Sequence, residues 1–168
     1  MQETYYTKAI ILTREPFREY DSKIITYTLA KGKLELVARG TKKILSKLAG
    51  HLEPITLSDI MVIKGKQFNY VGTATSTNTF LQIKKNLEKL TIVGAAIKVF
   101  NELIKENEAD KDIFSLLGIF LFLVNDNKTN LHQAKLLVIV FKIKLIILLG
   151  YQPLLDSCLV CGNKKIDN

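Results

Sequence analysis

The sequence predicts an α+β protein in which a small closed β-barrel precedes an α-helical region. In the first eighty residues, β-branched and aromatic residues recur in short runs that polar or glycine-containing breaks separate. After Phe80, apolar residues recur at mixed three- and four-residue steps with charged residues between them, as on an amphipathic helix. The chain has 168 residues, enough to bury a core in one or two small domains. We therefore predict one domain over residues 1–80 and a second over 81–168.

Five runs in the first part are predicted as strands, at residues 4–13, 23–30, 33–38, 58–64 and 67–77. Five short strands suit a small closed barrel. Two predicted turns, Lys31-Gly32-Lys33 and Lys64-Gly65-Lys66, place glycine between lysines, where a tight hairpin needs a permissive backbone. Lysines at such turns also discourage edge-to-edge pairing of strands, so they need not bind a ligand.

The second part predicts three helices. The first runs over about 81–104 and ends at the polar segment 106–110; the second begins near Asp112, and the third covers 130–149. The apolar stretches 113–124 and 136–149 are too short or interrupted by lysines to span a bilayer, which favours buried helices. The N-terminus is polar and has no long apolar run, so we expect a cytoplasmic protein.

Positive charge is concentrated in the first part of the chain. The formal net charge is +8; residues 1–90 hold 15 Lys and Arg against 8 Asp and Glu, whereas residues 91–168 hold 9 against 8. Between residues 31 and 47, one anion, Glu35, accompanies six cations: Lys31, Lys33, Arg39, Lys42, Lys43 and Lys47. A basic loop on a small β domain commonly contacts phosphate, although a solvated charged face has the same composition.

Two aromatic residues, Phe17 and Tyr20, fall in the loop between the first two predicted strands. Single-stranded nucleic acids bind where bases stack on aromatic rings beside cations that hold phosphates. The cations next to these rings are Arg14, Arg18 and Lys23. The alternative is that the two rings close the open end of the barrel, and most other aromatic residues of this part are predicted to be core.

The cysteines Cys158 and Cys161, followed by Gly162, resemble half of a zinc knuckle. A structural zinc ion needs four ligands, and neither His51 nor His132 has knuckle spacing. We therefore predict no cofactor, and zinc only if another chain or a longer C-terminus supplies ligands. The sequence also lacks a Walker phosphate loop, a His-Glu-x-x-His and a Gly-x-Ser-x-Gly pattern, which argues against an enzyme.

Several segments together resemble the RecO family of bacterial recombination mediator and repair proteins. They are YTKAIIL (6–12), PFREYD (16–21), KLELVARG (33–40) and SKLAGHLEP (46–54), with LGYQP (149–153) and CLVCG (158–162) farther on. Residues 80–131 show only generic helical patterning. Metal-bearing members of the family have a second cysteine pair downstream, so the resemblance implies a short or truncated form.

The resemblance implies an oligonucleotide-binding (OB-fold) barrel followed by an α-helical domain. It implies binding of single- and double-stranded DNA through a basic barrel face, strand annealing, and replacement of single-strand-binding protein by recombinase alongside a RecR-like partner. The DNA-binding residues would be Arg14, Phe17, Arg18, Tyr20, Lys23, Lys31, Lys33, Arg39, Lys42, Lys43 and Lys47. Two alternatives remain: a DNA-binding module without mediator activity, and an interaction protein whose helices dock the acidic tail of single-strand-binding protein.

Overall fold

The computed structural model describes residues 3–151 and contains a β-barrel followed by helices. The strands are β1 (Thr4–Pro16), β2 (Ser22–Thr28), β3 (Gly32–Ala38), β4 (Thr56–Ile63) and β5 (Asn69–Asn78), with a 3-10 helix, Ala49–Leu52, between β3 and β4. The helices are α1 (Leu81–Lys85), α2 (Leu87–Leu103), α3 (Lys111–Asn125) and α4 (Leu131–Leu148). The predicted α+β class is confirmed, and strand gives way to helix between Asn78 and Leu81.

The five strands close into a barrel in the order β1-β2-β3-β5-β4. Neighbouring strands are antiparallel except β3 and β5, which pair in parallel at Leu36 with Asn69 and Val37 with Tyr70. This is the architecture expected of an OB-fold barrel. Each predicted strand exists, with ends displaced by up to three residues.

The prediction of one continuous helix over about 81–104 is wrong, because the structure has two helices there, α1 and α2. Asn86 has an extended backbone (φ −113°, ψ 110°), and its side chain accepts a hydrogen bond from the Lys89 amide. An asparagine in this role starts a new helix, which separates α1 from α2. Asp110 and Asn130 start α3 and α4 in the same way, close to the predicted positions.

The barrel has an inner core and an outer face that packs on the helices. Its interior is filled by small and branched side chains, and Leu52 of the 3-10 helix is buried among them. On the outside, Ile10, Leu12, Tyr27 and Ile55 join the core of α1–α4. The middle of β1 is therefore buried on both sides, which explains its continuous apolar run Ala9-Ile10-Ile11-Leu12.

Tyr27 is the largest fully buried side chain at the contact between barrel and helices. Its hydroxyl donates to the Asp110 carbonyl at 3.4 Å, and its ring centroid lies 5.1 Å from that of Phe100, edge to face. Burial, together with the charge of Asp110, raises the pKa of Tyr27 to about 12. The phenol is therefore neutral and holds β2 against the start of α3 at physiological pH.

The hairpin of β2 and β3 also contacts the helices at its turn end. The Lys33 ammonium donates to the carbonyls of Asn101 and Ile104 at 2.6 and 3.2 Å, where α2 ends. Gly32 has a φ of +67°, and a Cβ there would overlap the Glu108 carbonyl. Cations are favourable at helix C-termini, so this end of the hairpin is fixed to the segment between α2 and α3.

Over residues 3–151, no helix has both the length and the apolar character needed to cross a membrane.

Candidate nucleic-acid interface

Two loops come together at the end of the barrel where β2 begins and β3 ends. These are the loop 17–21, between β1 and β2, and the loop 39–48, which follows β3. The Lys42 amide donates to the Tyr20 carbonyl at 3.0 Å, and the Lys42 ammonium donates to the Arg18 carbonyl at 2.8 Å. The Gly40 amide donates to the Asp21 carboxylate at 2.9 Å. We call the surface formed by these two loops the loop surface.

Arg14 fixes the loop 39–48 from inside the loop surface. Its guanidinium donates to the carbonyls of Thr41 and Ala49 at 3.1 and 3.0 Å, and to the Glu53 carboxylate at 2.7 Å. The side chain is only 17% exposed. The sequence predicts that Arg14 binds DNA; these hydrogen bonds give it a positioning role, and direct contact with DNA stays a prediction.

Phe17 connects the loop surface to the turn between β4 and β5. Its ring lies edge to face against Phe68, with 5.5 Å between centroids. The Arg18 guanidinium and the Lys23 ammonium lie 5.1 and 5.6 Å from the Phe17 ring centroid, and Lys23 also pairs with Glu35 at 3.0 Å. The half-buried ring of Phe17 fits the closing role better than the stacking role, although the assignment stays a prediction.

Two further aromatic rings on this side of the barrel each have a cationic side chain close to the ring. Tyr20 is 48% exposed, and the Lys43 ammonium lies 5.5 Å from its ring centroid. The Arg39 guanidinium lies 4.3 Å from the ring centroid of Tyr70 on β5. Such pairs present a flat apolar face and a positive charge together, which are the two features that a base and its phosphate require.

The structure divides the predicted DNA-binding residues between two ends of the β2–β3 hairpin. Lys31 and Lys33 lie at its turn, whereas the loop surface lies at the opposite end of β3. Six strand residues at about 3.3 Å each separate the two ends by roughly 20 Å. The nine residues at the loop surface are Arg14, Phe17, Arg18, Tyr20, Lys23, Arg39, Lys42, Lys43 and Lys47. Their binding role, and that of the other two, stays a prediction.

Four residues near the loop surface are missed by reasoning from the sequence. Phe68 and Tyr70 belong to the aromatic residues of which most are predicted to be core, but both are partly exposed and contact Phe17 and Arg39, respectively. Ile44 and Leu45 lie in the loop 39–48 with relative exposures of 102% and 92%. The available signal for this last pair is its position between lysines in a segment with neither strand nor helix periodicity.

His51 has a structural role at the 3-10 helix. Its Nδ1 accepts a hydrogen bond from the Ser76 amide at 3.1 Å, and its carbonyl accepts one from the Ser58 hydroxyl at 2.6 Å. Within residues 3–151, no three His, Cys, Asp or Glu side chains are grouped so that they could hold a metal ion. Cys158 and Cys161 lie outside the described residues, so the zinc prediction stays a prediction.

A separate apolar groove lies on the helical part. Leu123 of α3 and Leu136 and Leu137 of α4 line it, and Lys128 contributes a positive charge at its edge. Further aliphatic and aromatic side chains on the same two helices are exposed, among them Ile119, Phe122, Ile139 and Ile143. This surface can accept an apolar partner that carries negative charge.

The chain is similar to known proteins along most of its length. The family described as "Recombination protein O N terminal" matches residues 1–80, and "Recombination protein O C terminal" matches residues 84–168. Three relatives, each named "DNA repair protein RecO", come from Thermoanaerobacter sp. (strain X514), Desulforamulus reducens and Roseiflexus sp. (strain RS-1).

The similarity to these relatives is moderate in identity and broad in coverage. The identities are 25%, 28% and 30% over 95%, 94% and 94% of this chain, respectively. The alignments cover 63%, 60% and 54% of the relatives. The chain thus spans about 60% of the length of the curated relatives that it matches.

Proposed function

The chain belongs to the RecO family, and from that premise we propose that it is a DNA-binding recombination mediator and strand-annealing protein of recombinational DNA repair. The observation that carries the proposal is the loop surface, where the loops 17–21 and 39–48 hold each other and present cations beside aromatic rings. No step of this function breaks a covalent bond, so we assign no catalytic residue.

The charges of the loop surface are suited to phosphate. Arg39, Lys42, Lys43 and Lys47 are exposed, and in the described part of the chain none of them forms an ion pair with a carboxylate. An unpaired surface cation can neutralise a phosphate and release a condensed counterion, which supplies most of the affinity of binding without sequence preference. Neutralised phosphates also repel each other less, so two complementary strands held here can pair more readily.

The test measures binding of a fluorescent single-stranded oligonucleotide and a duplex across a salt series. The test variant replaces four loop cations with alanine: Arg39, Lys42, Lys43 and Lys47. The control variant removes the same charge from exposed positions of the helices: Lys98, Lys111, Lys135 and Lys144. The test variant should lose affinity for all sequences alike, and its single-strand salt slope should fall by about 0.7 for each phosphate that is no longer neutralised.

The control variant should retain the wild-type salt slope. An equal change in both variants would show that only net charge matters, and an unchanged slope in the test variant would exclude the loop surface. Annealing of two dye-labelled complementary strands should slow in the test variant and stay unchanged in the control. A wild-type chain that binds DNA without accelerating annealing would support the alternative of a binding module without mediator activity.

The groove on α3 and α4 favours a second binding function, with the acidic, hydrophobic tail of single-strand-binding protein as partner. Leu123 and Leu136 would receive apolar side chains of the tail, and Lys128 would attract its carboxylates. Leu136→Ser should weaken binding of a labelled tail peptide at every salt concentration, whereas Lys128→Ala should weaken it mainly at low salt. If neither substitution affects peptide binding, this groove is not the docking site.

Mediator activity would combine both surfaces. We propose that the chain acts with a RecR-like partner to replace single-strand-binding protein with recombinase on single-stranded DNA. The test follows recombinase loading on DNA coated with single-strand-binding protein, with the chain and the partner added singly and together. Loading that rises only when both are present supports the proposal, and loading that the chain never changes contradicts it.

A further inference from the structure

We propose that Ile44 and Leu45 form an apolar wedge that inserts between unstacked bases of DNA; this inference rests on the proposed DNA-binding function. The two side chains have relative exposures of 102% and 92%, and neither belongs to an apolar core cluster of the described structure. Single exposed aliphatic residues are common on proteins. Two adjacent ones at almost full exposure, in a loop that is anchored on both sides, require a different explanation.

The loop that carries the wedge is held firmly at its base. On one side, the Thr41 hydroxyl lies 2.8 Å from the Ser22 hydroxyl and is buried. On the other side, Leu48 packs against the barrel core. Between them, the Lys43 amide donates to the Gly40 carbonyl at 3.2 Å and the Ser46 amide donates to the Lys43 carbonyl at 3.0 Å. Only the short stretch that carries Ile44 and Leu45 projects from this framework, so the wedge is presented in a defined place.

The surroundings of the wedge select nucleic acid as the ligand. Lys42 and Lys43 precede the two aliphatic residues and Lys47 follows them, and all three lysines are exposed. Proteins that insert isoleucine or leucine between base steps combine such wedges with cations that hold the neighbouring phosphates. Through Lys43 the wedge is also continuous with the exposed ring of Tyr20, which can receive a base that the wedge displaces.

Insertion has a consequence for substrate preference. Separating two stacked base pairs costs about a few kcal/mol per step, whereas mismatched or single-stranded DNA needs little of that energy. The wedge should therefore favour single strands, mismatches and junctions over continuous duplex. This preference suits a protein that handles strands in the course of pairing.

The experiment compares two double variants with the wild type. The test variant is Ile44→Ser with Leu45→Ser, and the control is Leu81→Ser with Leu87→Ser, which removes exposed aliphatic side chains from α1 and α2, away from both proposed binding surfaces. The probes are a labelled single-stranded oligonucleotide and a duplex that carries 2-aminopurine beside a mismatch, since this base becomes more fluorescent when it unstacks. Vesicles of phosphatidylcholine and phosphatidylglycerol provide a separate anionic surface.

We expect the test variant to bind single strands at least about 10-fold more weakly, because burial of only half of each aliphatic side chain already corresponds to that change. Its salt slope should stay unchanged, because no cation is removed. The rise in 2-aminopurine fluorescence should be lost in the test variant and kept in the control. Melting temperatures should match the wild type, since the replaced side chains are exposed.

Three outcomes would overturn the wedge. The first is a test variant that equals the wild type in both affinity and 2-aminopurine response. The second is equal loss of DNA binding in the test and control variants, which would indicate non-specific apolar adsorption. The third is a test variant that keeps DNA binding but loses vesicle binding, which would assign the wedge to a lipid surface. If the wild type itself binds no DNA at low salt, the proposed function fails instead, so the two failures are distinguishable.

Discussion

Replacing Arg14 with alanine tests whether this residue holds the loop surface together or contacts DNA itself. In the structure, its guanidinium donates to the carbonyls of Thr41 and Ala49 and to the Glu53 carboxylate. A hydrogen bond from a charged donor contributes about 1.5–3 kcal/mol, and a buried acceptor left without a partner costs about 1–3 kcal/mol. The pair with the half-exposed Glu53 adds less than about 1 kcal/mol.

The expected loss on Arg14→Ala is therefore about 3 kcal/mol, of which the buried Thr41 contributes the larger share. For a chain of this length, that loss lowers the melting temperature by roughly 6–12 °C. The melting temperature of Arg14→Lys should lie between those of the wild type and of Arg14→Ala. A single ammonium cannot reach both carbonyls in the way that a planar guanidinium does. Calorimetry or circular dichroism during heating measures the shift.

Oligonucleotide binding by the same variants is then measured well below their melting temperatures, with correction for the folded fraction. We expect a weaker affinity with the wild-type salt slope, because the loop 39–48 loses its anchor while every surface cation remains. A melting temperature within about 1 °C of the wild type, together with a salt slope lowered by about 0.7, would refute the reasoning. Arg14 would then contact a phosphate, as the sequence alone indicates.

Three further predictions concern single residues. Gly32→Ala should reduce the free energy of unfolding in urea by at least about 2 kcal/mol, because the new Cβ meets the Glu108 carbonyl at a positive φ; unchanged stability would contradict that close approach. Above pH 10, the free energy of unfolding should fall by up to about 1.4 kcal/mol per pH unit until about pH 12, because folded Tyr27 keeps a proton that the unfolded chain releases. Tyr27→Phe should lose this part of the pH dependence, and an identical pH dependence in the variant would refute the assignment. Phe17→Ala should lower the melting temperature by several degrees, because we expect its ring to close the end of the barrel. Tyr20→Ala should leave the melting temperature unchanged and weaken single-strand binding by about 1–3 kcal/mol. The opposite pattern would assign the closing role to Tyr20 and the stacking role to Phe17.

Local patterning is sufficient to predict the barrel, because each strand carries its own alternation or apolar run. The run from Ala9 to Leu12 is correctly predicted as a strand, even though its two faces belong to different cores. The break between α1 and α2 escapes prediction because Asn86 interrupts an otherwise continuous helical pattern, and asparagine also occurs within helices. Its capping role depends on backbone geometry that the sequence pattern does not specify.

The candidate site can be predicted only as a collection of residue types. Arg14 and Arg18 have similar sequence surroundings, yet Arg14 bonds to carbonyls 27 and 35 residues away, whereas Arg18 lies exposed beside a ring. Lys33 and Lys89 likewise contribute to the positive charge, but their ammonium groups donate to carbonyls near the ends of α2 and α3. Barrel closure and helix docking determine these partners, and neither has a local sequence signal.

The helical part limits the barrel surface that can meet DNA. In OB-fold barrels the outer face of strands 2 and 3 commonly contributes to oligonucleotide binding. Here the half of that face around Tyr27 and Lys33 is covered, since Phe100 and the end of α2 pack on it. The uncovered half leads to Lys23, Arg39 and the loop surface. A DNA strand bound as proposed would meet this face at the end that carries the loop surface, so the helices shape the proposed binding surface even where they supply none of its residues.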